Sequence, residues 1–357
     1  MTAPRLEIDL GKIRHNAHTL VDRLSKRGIS VWGVTKATLG LPEVANALLA
    51  AGVEGLADSR IENIQTMRRA PITQPMTLIR SPMLSQAEIV VTNADMSLNT
   101  ELDAIAALSK AALAAGRTHG VLLMVELGDL REGIMPADLE ETVRQTLNFP
   151  NIALRGIGAN LACRCGVAPD EANMRELSSL ADAIDATFGP VISIVSGGNS
   201  SNLDWALGST NIGRINNLRL GEAILLGREP LHRQPIEGLF TDAITLVAEV
   251  IEAKVKPSQP WGEIAETAFG ATPALEDRGT IFQTILALGH MDTDPAGLTS
   301  PPGIVILGSS SDHLIVECYK MRPKIGKEMT FGLNYSALIR AMGSPLVIKK
   351  MITSSVG

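Results

Sequence analysis

Through the first two thirds of the chain, short apolar, β-branched runs alternate with stretches in which Ala, Leu and Glu recur at helical spacing. After an amphipathic stretch from Leu10 to Arg27, runs at 31–36, 53–58, 76–80, 95–98, 121–127, 154–161, 191–196 and 214–220 predict strands. Helical patterns fall between them at 42–51, 60–69, 100–115, 137–147 and 169–188. Such strict alternation, with no strand-only region, suits closure into a parallel (β/α)8 barrel of the TIM type better than an open sheet. From about Arg228 the pattern changes. Prolines 230, 235, 257, 260, 273, 295, 301 and 302 punctuate apolar runs at 243–251, 280–288, 303–307, 313–319 and 345–352, where no long helix fits. The expectation is α/β overall, with a barrel over 10–228 followed by a C-terminal, mostly antiparallel β domain over 229–357. Residues 1–9 would add an N-terminal strand to that second domain.

At 357 residues and 45% hydrophobic content, the chain can bury two cores. A net charge of −6 and 3% aromatic residues supply neither a basic surface nor stacking platforms, so the composition argues against nucleic acid and for a small-molecule ligand. No apolar run approaches the roughly 20 residues that span a bilayer, and the N-terminus lacks an apolar signal core. A cytoplasmic protein without membrane attachment is expected. Three cysteines do not make a disulfide framework in a chain of this length.

The candidate chemistry begins at Lys36, the end of the run Val31-Trp32-Gly33-Val34-Thr35-Lys36. A buried ammonium is disfavoured by desolvation, which favours the neutral amine that can condense with an aldehyde, so this is where a Schiff-base lysine would stand. The alternative is a strand-end lysine snorkelling to solvent. Catalytic groups of such barrels gather where strands end at the C-terminal face. Arg131, Asn160, the Ser196–Asn202 loop, Arg219 and Glu222 all follow predicted strands and so share one rim with Lys36. The Ser196-Gly197-Gly198-Asn199-Ser200 segment is an ordinary loop by itself; after strand seven of a barrel its N–H groups and hydroxyls suit a phosphate dianion.

Val34-Thr35-Lys36-Ala37, Gly128-Asp129-Leu130-Arg131-Glu132-Gly133, Asn199-Ser200 and Arg219-Leu220-Gly221, in this order and spacing, resemble the alanine-racemase family of fold type III pyridoxal-phosphate enzymes. Ala57-Asp58-Ser59-Arg60-Ile61-Glu62-Asn63, Gly158-Ala159-Asn160-Leu161-Ala162-Cys163, Arg219-Leu220-Gly221-Glu222-Ala223 and Ser309-Ser310-Ser311-Asp312-His313-Leu314 draw the likeness toward its ornithine-racemase-like branch. The resemblance spans nearly the whole chain. It implies pyridoxal 5′-phosphate as cofactor, an amino acid as substrate, a head-to-tail homodimer with shared active sites, and two-base α-proton abstraction and return via an external aldimine.

Residue by residue, the resemblance makes Lys36 the Schiff-base lysine and one of the two bases. Arg219 would face the pyridine nitrogen, with Glu222 an outer partner: were the strand to run from 219 to 222, their side chains would point to opposite faces. Asn199, Ser200 and backbone N–H groups near Gly197-Gly198 and Gly221-Glu222 would hold the phosphate, Ser196 would also line the cofactor site, and Arg131 would steer substrate or the cofactor's 3′ oxygen. Asn160 stands where alanine racemases carry a histidine near the ring. The second base, a tyrosine in alanine racemases, is replaced by His290 in Leu288-Gly289-His290-Met291-Asp292, after Ala268-Phe269-Gly270. His313 and Cys165 are reserves, and Ser311 and Asp312 match the segment that reaches across the dimer to the substrate carboxylate. Leu39 and the Ser344-Pro345-Leu346 region lack two phosphate-binding tyrosines of the family.

The branch points to ornithine or another basic amino acid, with small neutral amino acids such as alanine or serine as the alternative. A decarboxylase, or a D-amino-acid dehydratase or aldolase that adds a metal, would keep the cofactor; Asp312, His313 and Cys318 do not make a compelling metal set. A non-catalytic cofactor carrier would resemble the barrel alone.

Overall fold

The computed structural model describes residues 4–266, 269–270 and 276–355. The chain divides into two compact units, one over Leu10–Phe240 and one built from the N-terminal strand β1 (Arg5–Asp9) with Thr241–Thr353.

The first unit is a closed barrel of eight parallel strands: β2 (Ser30–Val34), β3 (Gly55–Asp58), β4 (Met76–Leu78), β5 (Met96–Asn99), β6 (His119–Val125), β7 (Ile152–Ala159), β8 (Ile194–Gly198) and β9 (Asn217–Leu220). Closure is made by β2 pairing β9 in parallel, from Ser30 opposite Asn217 to Gly33 opposite Leu220. β6 shows why these strands read as continuous apolar runs. Val121, Leu123 and Val125 face the layer under the helices, whereas Leu122 and Met124 join Trp32, Val34, Ala57 and Leu98 inside the barrel. Each flanking helix buries one stripe, as Ile13, Ala17, Leu20 and Leu24 do on Leu10–Ser25. The helix Glu171–Phe188 is fixed at its start by Asp170, whose carboxylate accepts from the Asn173 N–H while Asn173 accepts from Asp170.

Two sequence expectations shift. The first strand stops at Val34, so Lys36 does not end a strand but opens a short 3₁₀ turn, Lys36–Thr38. The barrel unit also runs past 228: Asn16, fully buried, donates to the carbonyls of Ile224 and Phe240 and accepts from the Phe240 N–H. Arg23 and His15 bind the carbonyls of Glu237 and Gly238. The segment up to Phe240 is therefore held against the helix Leu10–Ser25 of the barrel unit. Short helices at Ala87–Asn93, Leu203–Gly208 and Glu222–Leu226 carry too few residues to show a period in the sequence.

The second unit contains β10 (Ile244–Pro257), β11 (Thr280–Leu286), β12 (Leu298–Thr299), β13 (Ile304–Ser309), β14 (Leu314–Cys318), β15 (Glu328–Leu333) and β16 (Ile348–Ile352). They run β12-β15-β10-β11-β14-β13, antiparallel throughout, while β1 pairs antiparallel with β10 and parallel with β16. Leu6, Ile8, Leu246, Leu286, Leu314, Val316 and Phe331 are buried in it. β15 and the helix Tyr335–Gly343, capped by Asn334, had no separate signal in the sequence. Among the described residues no helix is long and apolar enough to cross a membrane.

Candidate active site

Lys36 is positioned by its neighbours rather than by a strand. Thr35, fully buried, donates its N–H to Ala57 and its hydroxyl to Asp58 Oδ2 at 2.7 Å. Asp58, also fully buried, accepts at Oδ1 from the Arg60 N–H and from Asn63. Behind the turn, Gly40 lies so close to the Asn63 backbone that a Cβ would come within 2.7 Å of its carbonyl oxygen. The residue before Lys36 is thus tied to β3 and to the helix Ile61–Arg69. Burial is the main reason the Lys36 pKa lies below its ordinary 10.5; the cations Arg131 and Arg219 lower it further, against Cys163 and Asp58. An amine held this way is the nucleophilic form more often than an exposed lysine.

A chain of polar groups runs across the barrel near Lys36. Asn217 donates to Ser30, Ser196 donates to Asn217 Oδ1 at 2.6 Å, and Arg219 donates to the Ser196 hydroxyl at 2.5 Å and to the Ala159 carbonyl at 2.8 Å. Arg219 is 3% exposed, and burial with the nearby Arg131 pulls its pKa down to about 10. It remains a cation at pH 7. Asn160 Oδ1 accepts from Asn199 and weakly from Arg219, leaving its buried Nδ2 with no partner. An orphaned buried donor costs about 1–3 kcal/mol, and this amide keeps an N–H that no other group of the described residues accepts.

After β8 the chain turns on Gly197 and Gly198. A Cβ on Gly198, at φ +150°, would stand 2.0 Å from Asn202 Oδ1, and one on Gly197 would meet Ile215 at 2.7 Å. The Ser200 hydroxyl accepts from the N–H groups of Gly221 and Ala223, so its proton is free to donate, and the buried Ser201 hydroxyl has no partner at all. Asn199 differs from its sequence expectation: Oδ1 accepts from the Ser201 N–H and both Nδ2 protons go to Asn160 and Leu161. Its side chain holds the loop and has no proton left for a phosphate. Ser201, adjacent to the expected pair, is a buried, unpartnered hydroxyl that the sequence reading missed.

Glu222 also differs. The strand ends at Leu220, and Glu222 opens the helix Glu222–Leu226, where it pairs with Arg233. Burial raises its pKa despite that partner. The opposite-face argument for 219 and 222 fails with the strand, but Glu222 is engaged away from Arg219.

The loop after β6 is closed at its neck by the Glu126 N–H on Ile134 and the Ile134 N–H on Met124. A Cβ on Gly133 would reach 2.5 Å from the Glu126 nitrogen. Glu126 accepts from the Gly128 and Leu130 N–H groups. Asp129, 1% exposed, accepts from the N–H groups of Cys163, Arg164, Cys165 and Val167 in the loop after β7. Arg131 then meets Cys163 Sγ at 2.8 Å and pairs with Glu132. Cys163, not Cys165, is the thiol on this arginine; sequence spacing had no means of distinguishing them.

Burial works against the Asp129 charge, yet the backbone donors hold its pKa below the ordinary 3.8. Its stabilising contribution is therefore complete above the ordinary value and is lost as pH falls through the lower folded-state value. Asp129→Ala is expected to cost about 2–3 kcal/mol, because several buried N–H groups lose one acceptor. Hydrogen exchange should show faster exchange confined to Cys163–Val167; unchanged protection there would show that the carboxylate does not hold the loop.

In the second unit the structure brings His290, Ser311 and Asp312 together. Gly289 packs so closely that a Cβ would lie 2.3 Å from the Ser311 carbonyl oxygen, and the His290 and Met291 N–H groups bind the carbonyls of Ser310 and Ser311. His290 Nε2 meets the Ser309 hydroxyl at 2.8 Å, and its ring lies 4.3 Å from that of Phe269. Ala268 lies outside the described residues. His313 pairs with Asp312, and Cys318 is buried against Thr284. No cluster of three or more His, Cys, Asp and Glu side chains suited to a metal occurs among the described residues.

The structure thus joins a (β/α)8 barrel carrying Lys36, the buried Arg219 and a serine-glycine loop to an antiparallel β unit in one chain. Residues 8–229 match the family model of the alanine racemase N-terminal domain, and the chain belongs to that family. It is 38% identical over 353 residues to ornithine racemase of Acetoanaerobium sticklandii, covering 98% of this chain and 99% of that one. It is 36% identical over 352 residues to lysine racemase of Thermotoga maritima, covering 98% of both. Among solved structures, alanine racemase from Streptomyces coelicolor A3(2) superposes with a TM-score of 0.76 at 18% identity over 99% of this chain and 98% of that one. D-threonine aldolase from Filomicrobium marinum gives 0.75 at 17% identity, over 98% and 91%.

Proposed function

We propose that this protein is a pyridoxal-phosphate-dependent racemase of a basic amino acid, ornithine or lysine. The observation that carries the reading is the half-buried Lys36, its pKa lowered chiefly by burial and in part by the charge of the buried Arg219. The two racemases aligned over almost all of this chain, one named for ornithine and one for lysine, support the substrate class.

The residues present fit the cofactor. Ser200 and Ser201 have hydroxyl protons to donate, and the glycine turn beside them admits no Cβ at Gly198. Asn160 offers an unpartnered buried N–H. Lys36 would hold the aldehyde carbon, Ser200, Ser201 and loop N–H groups the phosphate, and Arg219 the ring nitrogen. When bound, the cofactor supplies an electron sink that acidifies the substrate's α-carbon.

The chain's own groups do the rest. Lys36 removes or returns the α-proton on one face, and the burial that lowers its pKa favours the free amine this role requires. Arg219, a cation at neutral pH, would donate to the ring nitrogen without protonating it, which would keep the sink weak and disfavour transamination. Arg131 takes the substrate's α-carboxylate. The second base is His290 of the partner subunit in a head-to-tail homodimer, an imidazole that can both accept and return a proton.

Incubation with each pure enantiomer of ornithine, lysine, alanine and serine, followed by chiral chromatography, tests the assignment. The expected result is approach to equal amounts of both enantiomers, fastest for the basic pair. No interconversion of any of them would overturn it. A second check concerns Arg219→Glu, which places a carboxyl where the fixed cation stands. The 2-oxo acid formed per racemisation event is expected to rise at least tenfold, measured by dehydrogenase-coupled assay; an unchanged ratio removes Arg219 from this role.

A further inference from the structure

Arg131 and Glu132 are neighbours in sequence whose side chains pair with one another, 32% and 29% exposed. Both act on the buried site: Arg131 lowers the pKa of Lys36 and of Arg219, and Glu132 raises that of Arg219. The surrounding carboxylates are committed elsewhere. Asp58 holds Thr35, Arg60 and Asn63; Glu126 and Asp129 hold loop N–H groups; Glu222 holds Arg233. Glu132 has its ion pair with the very arginine that substrate is to engage.

We infer that Glu132 is the specificity-determining residue for the substrate's distal ammonium, released when the α-carboxylate takes Arg131. The inference rests on the racemase reading above. Before binding, Arg131 and Glu132 neutralise one another. Afterward the α-carboxylate neutralises Arg131 and the ω-ammonium neutralises Glu132, so a diamino acid exchanges one ion pair for two with no charge left over. The two protein charges start in contact, within reach of a side chain of three or four methylenes. An amino acid with an uncharged side chain takes Arg131 and leaves Glu132 unpaired in a partly desolvated pocket. Discrimination then comes from the penalty on the wrong substrate as well as from attraction to the right one. The loop geometry supports a fixed placement: Gly133 packs against Glu126, and Asp129 clamps the adjoining loop.

The test compares ornithine with norvaline, which has the same carbon chain without the ammonium. The readout is α-proton exchange in deuterated water, with cofactor-saturated wild type, Glu132→Gln and Glu132→Asp. Loss of a charge-assisted hydrogen bond predicts a fall of about 10–100-fold in the ornithine-to-norvaline ratio of kcat/KM for Glu132→Gln. Glu132→Asp, which keeps the charge, should recover part of that ratio. Equal losses on both amino acids would make Glu132 a support for Arg131 alone and overturn the inference, as would an unchanged ratio in Glu132→Gln. Wild type that exchanges alanine and norvaline but neither ornithine nor lysine would instead overturn the basic-substrate reading, and this inference with it. A Glu132→Gln protein that fails to fold leaves the decision to the ratio in Glu132→Asp, which must lie below wild type for the inference to stand.

Discussion

Lys36→Ala is expected to abolish racemisation and, on the proposed cofactor, to remove the visible absorbance of bound pyridoxal phosphate. The reason is positional. Thr35 is tied to β3 through Ala57 and to Asp58 through its hydroxyl, so the amine that follows is delivered to one point at the rim. Removing the general base alone costs about 10²–10⁴-fold, and loss of the cofactor tether adds to it. Lys36→Arg should be nearly as damaging, since a guanidinium stays protonated near neutrality and cannot act as the nucleophile. Spectra and chiral turnover measured on the same samples decide it: full absorbance and turnover in Lys36→Ala would end the assignment of this lysine.

His290→Ala should have the second largest effect, and an asymmetric one. If the partner subunit's His290 serves one face of the carbanion and Lys36 the other, α-proton exchange should fall about 10²–10⁴-fold for one enantiomer and far less for its mirror image. The hydrogen bond to Ser309 and the packing on Phe269 fix the ring's orientation, so the loss should not be recovered by a flexible neighbour. Mixing Lys36→Ala with His290→Ala protomers gives a further readout. Random reassortment makes half the dimers mixed, each with one intact site, so activity should return to roughly a quarter of wild type. Equal loss for both enantiomers, or no recovery in verified mixed dimers, would return His290 to a structural role and direct attention to His313.

Most of the barrel was legible because its physics is local. β6 shows the reason: a strand buried on both faces must be apolar at successive positions, and Val121 to Val125 are. The antiparallel β unit was legible from prolines and short apolar runs, but its boundary was not. Asn16, far away in sequence, decides that residues up to Phe240 pack with the barrel, and a single asparagine in a helix carries no such message. Lys36, Arg219 and the glycine-serine loop could be read because residue type and order suffice to suggest them. Ser201, Asp129 and Cys163 could not, since their roles depend on which hydrogen-bonding groups remain unpaired after folding.

The sequence by itself determined the alternation that closes a parallel barrel and the amine at the end of its first run. These follow from periodicity and side-chain chemistry, which need no neighbours. Only the tertiary structure decided that the strand ends at Leu220 and turns Glu222 toward Arg233, that Asn199 spends its protons on the loop, and that Arg131 stands between Cys163 and Glu132. A donor or a carboxylate has one set of partners at a time. Which set it takes is fixed by contacts between residues distant in the chain, and those contacts exist only once the barrel has closed.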